Sequence, residues 1–116
     1  MIKKLACINI SSKQPERLMK FYQDIGVSIY INNGSYDGSY IGNPEKESGV
    51  CVWDERIWGP STGGYITIVF LVDSLEETYR VIKEKRIEIE PPRKADWGGQ
   101  ELTLKDPDGN VIIFLT

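Results

Sequence analysis

Short runs in which apolar and polar residues alternate make up most of this chain, and twice the alternation gives way to helical spacing. Ile2–Ile10 reads as a strand, with Ala6, Ile8 and Ile10 on one parity and Leu5, Cys7 and Asn9 on the other. Ser12 and Pro15 then mark a helix start, a hydroxyl near the cap followed by proline in the first turn. Leu18, Phe21, Tyr22 and Ile25 recur at helical spacing to about Asp24, and Gly26 is a stop. Val27–Ile31 alternates again, Ser39–Ile41 is a short strand within a Gly-, Ser- and Tyr-rich stretch, and Gly49–Glu55 is a further strand. Trp58–Gly64 carries the breakers of a connector. Beyond it Tyr65–Val72 alternates, and Ser74 with Glu77 forms a capping box that opens a helix over Leu75–Lys85. Ile87–Ile89 is a short strand and Pro91–Asp96 a loop. Glu101–Lys105 and Val111–Leu115 are the arms of a hairpin whose turn is Asp106-Pro107-Asp108-Gly109-Asn110.

Each half thus reads strand, helix, strand, strand, strand, and one shift of sixty residues superposes the two. It pairs Cys7 with Thr67, Ile8 with Ile68, Ile10 with Phe70, Val27 with Ile87, Val52 with Ile112 and Trp53 with Ile113. Matching helix starts and strand order at a single offset is what two copies of one supersecondary unit require. The expected architecture is α+β: residues 1–116 form one domain, with unit one at 1–58, unit two at 64–116, and both helices on the convex side of one curved mixed sheet.

Composition narrows the function. The net charge of −3 supplies no basic stripe for nucleic acid or an anionic membrane. No apolar run approaches a membrane span, and the polar residues from Asn9 onward come too early for a signal peptide. Cys7 and Cys51 make no disulfide framework and suit a reduced cytoplasm. There is no histidine anywhere, so neither thiol nor any serine has an imidazole base.

Four stretches carry a family resemblance: Phe21-Tyr22-Gln23-Asp24-Ile25-Gly26, Phe70-Leu71-Val72-Asp73-Ser74-Leu75, Trp97-Gly98, and the turn Asp106–Asn110. In this order and spacing, within a repeated β-α-β-β-β unit, the chain resembles the glyoxalase, bleomycin-resistance and extradiol-dioxygenase superfamily, the vicinal oxygen chelate fold. The resemblance implies four metal-ligand slots, on the first and last strand of each unit, which fall here on Cys7, Trp53, Thr67 and Ile113. Only one of these, the Cys7 thiol, is a good ligand, so no metal and no cofactor is expected.

The parity that faces the concave side offers aromatic and polar surface instead. Trp53, Trp97 and Tyr65, with Trp58 and the tyrosines of the first half nearby, stand with Thr67, Thr103, Glu101, Asn9 and Cys7 as a ligand-binding set. Such a surface stacks a flat organic molecule and fixes it with a few hydrogen bonds. The resemblance implies a metal-free protein that binds or sequesters a flat metabolite or antibiotic. The alternative is a diverged lyase, isomerase or dioxygenase, with Glu55 or Glu101 as base or ligand. An interaction module whose concave face is filled by its own side chains is a third reading. Exposed Trp53, Tyr65, Val111 and Ile113 on a half-open sheet further predict a homodimer with the pockets near the subunit boundary.

Overall fold

In the computed structural model, which describes Met1–Thr116, the β-α-β-β-β order occurs twice. The first compact unit, Met1–Gly63, contains β1 (Cys7–Ser12), α1 (Pro15–Asp24), β2 (Ile29–Asn32), β3 (Ser35–Ile41), β4 (Gly49–Asp54) and a single turn of helix, α2 (Glu55–Trp58). The second, Gly64–Thr116, contains β5 (Thr67–Leu71), α3 (Leu75–Glu84), β6 (Arg93–Lys94), β7 (Gln100–Lys105) and β8 (Val111–Leu115). Hydrogen bonding divides the strands into two four-stranded mixed sheets, ordered β1-β4-β3-β2 and β5-β8-β7-β6. In each the first strand runs parallel to the last, and the remaining pairs are antiparallel.

The sheet of the first unit buries one face beneath α1. Leu18, Met19 and Tyr22 are fully buried on the helix, and they meet the parity that carries Ile10, Ile41 and Val52. Each such aliphatic side chain contributes about 1.5–3 kcal/mol on leaving water. α1 ends in a Schellman motif: the Gly26 amide donates to Gln23 and the Val27 amide to Tyr22, with Gly26 at φ 97°. In the second unit Leu75 and Ile82 of α3 are buried, as are Leu102, Leu104, Ile112 and Phe114 on one parity of β7 and β8.

α3 starts as its capping box requires, with the Ser74 hydroxyl accepting from the Glu77 amide. At its end the Arg86 amide donates to the Lys83 carbonyl, as the Gly26 amide does to Gln23 sixty residues earlier, but here Arg86 occupies the glycine position and takes φ 61°. A side chain in that left-handed conformation costs about 1 kcal/mol that glycine avoids. Arg86→Gly is therefore expected to stabilise the chain by up to about 1 kcal/mol, read as a rise in the urea midpoint.

Several boundaries differ from the sequence reading, and strand pairing explains most of them. β1 begins at Cys7 and not Ile2 because β4, its neighbour, begins at Gly49. Ile87–Ile89 forms no ladder, whereas Arg93–Lys94, read as loop, pairs with the start of β7. Glu55 does not end β4 but opens α2, where the Asp54 carboxylate accepts from the Arg56 amide. β3 is longer than expected, and its pairing with β2 slips: Tyr30 opposes Tyr40, but Asn32 opposes Ser35. The extra residues form a bulge at Tyr36–Gly38, with Gly38 at φ 80°, so Tyr36 meets Lys20 of α1 while Tyr40 belongs to the opposite, open face.

Candidate functional site

Register decides which side chains share the open face of the first sheet. Asn9 lies opposite Cys51 and Ser11 opposite Trp53 on the parallel pair, and Tyr40 lies opposite Cys51 on the antiparallel one. Cys7, Asn9, Tyr40, Cys51 and Trp53 therefore stand on one surface. Trp53 crosses β3 at the bulge, where a Cβ on Gly38 would come within 3.0 Å of its ring. On its other side Trp58 of α2 packs at 4.4 Å between ring centroids, tilted by 49°. The Trp53 Nε1 atom is buried and has no hydrogen-bond partner. A buried indole N–H in that state is costly and unusual in a native protein.

The floor beside Trp53 is uncharged. Burial, then the neighbouring Cys7 thiol, pushes the Cys51 thiol up to about 11, against the lowering effect of the Tyr40 hydroxyl. Cys51 first, then burial, also raises Tyr40. The Cys7 thiol donates to Asn9 Oδ1 at 3.6 Å. A thiol whose folded value lies above its ordinary 9.0 contributes stability that is complete below pH 9 and is lost as pH rises through about 11. Alkaline unfolding of the native protein should thus carry a component in that window, absent from Cys51→Ala. Iodoacetamide at neutral pH should modify half-buried Cys7 and spare Cys51, which is 1% exposed; mass spectrometry of the two peptides checks this.

The end of β1 is covered by its own connector. The Ser11 carbonyl accepts from the Thr62 amide at 2.9 Å, the Ser11 amide donates to Thr62 Oγ1, and the Ser11 hydroxyl donates to the Gly59 carbonyl. Residues 59–62 are thereby tied across the strand end next to Trp58.

In the second sheet Thr67, Val69, Thr103, Glu101, Val111 and Ile113 share the open parity. Glu101 is not a free base: its carboxylate accepts from Arg93 across the β6–β7 ladder at 3.2 Å. Trp97 sits at the tip of the β6–β7 connection, 64% exposed, with its ring laid on Gly99 in a turn closed by the Ala95 and Gly98 amides. Tyr65 lies before β5 and is almost wholly exposed. Of the ligand set expected from the sequence, the structure brings Cys7, Asn9 and Trp53 together on the first sheet and Thr67, Thr103 and Glu101 on the second. Tyr65 and Trp97 lie outside the ladders. Tyr40, one of the tyrosines expected nearby, completes the first surface with Cys51 and Ser11; the register shows that Ser11 lies opposite Trp53 and Tyr40 opposite Cys51.

Among the four positions where the resemblance places metal ligands, Trp53 and Ile113 have no donor lone pair, and Cys7 is engaged with Asn9. No three of the chain's Cys, Asp and Glu side chains gather closely enough to hold a metal ion. The donor set does not fit a divalent centre. A concavity of ≈ 680 Å³ on α3, among Ser74, Glu77, Tyr79 and Arg80, is a groove between solvent-facing helix side chains and includes no open-face residue.

A repeated β-α-β-β-β unit with mixed four-stranded sheets defines a class of α+β fold. Residues 4–114 match the model of the Glyoxalase/Bleomycin resistance protein/Dioxygenase superfamily, and the chain belongs to that family. Solved structures agree on the fold. A bleomycin resistance determinant encoded on the transposon Tn5 shares 21% identity at a TM-score of 0.70, covering 97% of this chain and 96% of that one. An antibiotic binding protein from a Streptomyces species shares 18% identity at 0.73, covering 97% and 94%. A virulence protein from Salmonella typhimurium shares 17% at 0.75, covering 98% and 96%. No protein of curated function matches the sequence. No helix is long and apolar enough to cross a membrane.

Proposed function

We propose that this protein binds a flat, uncharged organic molecule on its open sheet face without a metal and without making or breaking a bond. The observation that carries the reading is Trp53, a wide aromatic surface with a buried, unpartnered N–H beside a neutral floor of Tyr40 and Cys51. A ligand ring that takes the place of exposed Trp58 on the indole and brings an acceptor atom to Nε1 would use both properties. Family membership and antibiotic-binding structural neighbours support the same class of activity. Sequestration of this kind lowers the free concentration of the ligand, and its substrate class would be aromatic metabolites or antibiotics. A second copy of the chain would close the site, giving a homodimer. The free thiols suit a reducing cytoplasm.

The enzymatic alternative draws on Glu55 and Glu101. The first opens α2 and the second is ion-paired with Arg93, so neither is presented as a base. The test is a tryptophan-fluorescence titration of purified protein against bleomycin and a panel of planar aromatic compounds, with elemental analysis alongside. Saturable quenching by metal-free protein is the expected result. A stoichiometric divalent metal, or no quenching by any compound, would overturn the proposal.

A further inference from the structure

α2 is held at its ends and not by its side chains. None of its four residues is buried, and a single turn of helix has no stability of its own. At one end the Asp54 carboxylate accepts from the Arg56 amide and pairs with the Arg56 guanidinium. At the other the Gly59 amide closes the turn on the Glu55 carbonyl, and the Gly59 carbonyl accepts from the Ser11 hydroxyl. Thr62 fixes the chain beyond through both backbone groups of Ser11. The backbone on either side of Trp58 is therefore tied down. A ring on such a segment leaves its place by turning about its own side-chain bonds, which an exposed side chain does within nanoseconds.

Trp58 fills its place on Trp53 poorly. The centroids are 4.4 Å apart, close enough for stacking, but the planes are tilted by 49°, between the offset-stacked and edge-to-face arrangements that aromatic rings prefer. The ring remains 58% exposed. Atoms Cε3, Cζ3 and Cη2 of Trp53 face Gly38, so Nε1 lies on the edge of the indole away from the bulge. There it is buried without a partner. The Trp58 side chain cannot supply one, because an indole carries an N–H donor and no acceptor.

We infer that Trp58 holds the ligand's own place on Trp53 and turns out into solvent when the ligand arrives. This rests on the proposed binding function, and it narrows the ligand. Whatever displaces Trp58 has to do the two things that Trp58 does not: lie parallel to the Trp53 ring and bring an acceptor to Nε1. The class is then a planar fused-ring compound, at least as broad as an indole, with a carbonyl oxygen or ring nitrogen at its edge. A single ring, or a fused hydrocarbon without an acceptor, competes badly against a tethered indole whose local concentration is high. Even the right ligand binds less tightly than the bare Trp53 surface allows, by roughly 3- to 14-fold for one aromatic pair that must first open.

Two indoles this close and not parallel couple their ultraviolet transitions, and the pair gives a split circular-dichroism band that neither ring gives alone. The free wild type should show that band, and Trp58→Ala should lack it with the rest of the spectrum unchanged. Nile red, a flat, uncharged fused-ring dye with a carbonyl acceptor and emission well clear of tryptophan, is the probe. As it saturates the wild type the split band should fade, and Trp58→Ala should bind it roughly 3- to 14-fold more tightly. Trp58→Phe keeps a smaller ring on the same tether and should fall between the two; it decides if Trp58→Ala does not fold. A free protein without the split band, a band that persists at saturation, or equal or weaker binding by the Trp58 variants would each overturn the inference while leaving the binding function in place. Nile red bound by neither the wild type nor the variants would remove the binding function and the inference with it.

Discussion

Asn110→Ala is expected to destabilise the protein by about 3 kcal/mol, among the largest losses any single polar side chain here would cause. Asn110 is 1% exposed at the end of the turn between β7 and β8. Its side-chain amide donates to Asp106 Oδ2 at 3.0 Å, and its Oδ1 accepts from the Gly64 amide at 3.0 Å. Asp106 Oδ1 meanwhile accepts from the amides of Asp108 and Asn110. The residue thus joins the last hairpin of the second unit to its first residue. Alanine removes both bonds: Asp106 loses a donor in a buried place, a loss that costs about 1–3 kcal/mol, and the Gly64 amide at the exposed end of the contact loses its partner. Asn110→Asp should fail nearly as badly, since it sets a second carboxylate against Asp106. Chemical denaturation of the two variants checks the magnitude, and a change below about 1 kcal/mol would mean that solvent reaches the turn.

Trp53→Ala should weaken binding of a planar ligand by about 1–3 kcal/mol, roughly 5- to 150-fold, the range for losing one packed aromatic anchor. Trp97→Ala should cost less, because that ring is mostly exposed and already rests on Gly99. Trp53→Phe separates the two parts of the Trp53 contribution. It keeps a stacking ring but deletes the N–H, so a ligand that uses Nε1 will bind this variant more weakly than the lost area alone requires. Cys7→Ser should leave binding nearly intact, as no metal depends on the thiolate. Fluorescence titration, with circular dichroism as the fold control, measures all four. Wild-type affinity in Trp53→Ala would place the ligand elsewhere.

What could be read from the sequence was whatever is decided locally or by repetition. The start of α1 at Pro15, the Ser74–Glu77 box and the turn at Asp106–Asn110 depend on residues within a few positions of one another, and each occurs where its chemistry put it. The sixty-residue offset placed Trp53 on the strand that carries it. Ladder-dependent features were hidden. Whether Ile2 or Arg93 lies in a strand depends on where the neighbouring strand begins, and Cys51 joins Tyr40 only through a register that no single segment contains. α2 is one turn long, too short for periodicity to show.

The bulge at Tyr36–Gly38 has a use for anyone who wishes to change what the protein holds. It splits β3 into a stretch whose side chains serve the scaffold and a stretch whose side chains serve the open face, with Asp37 between them accepting from the Asp54 amide at 2.8 Å. Mutational libraries can therefore be drawn along that line: diversity at Tyr40 and its neighbours on β2 reshapes the floor, while Tyr36 and Asp37 stay fixed to keep α1 and α2 in place. Gly38 is the position of β3 to leave untouched in such libraries, since a Cβ there would press on the Trp53 ring and its φ of 80° strains other side chains.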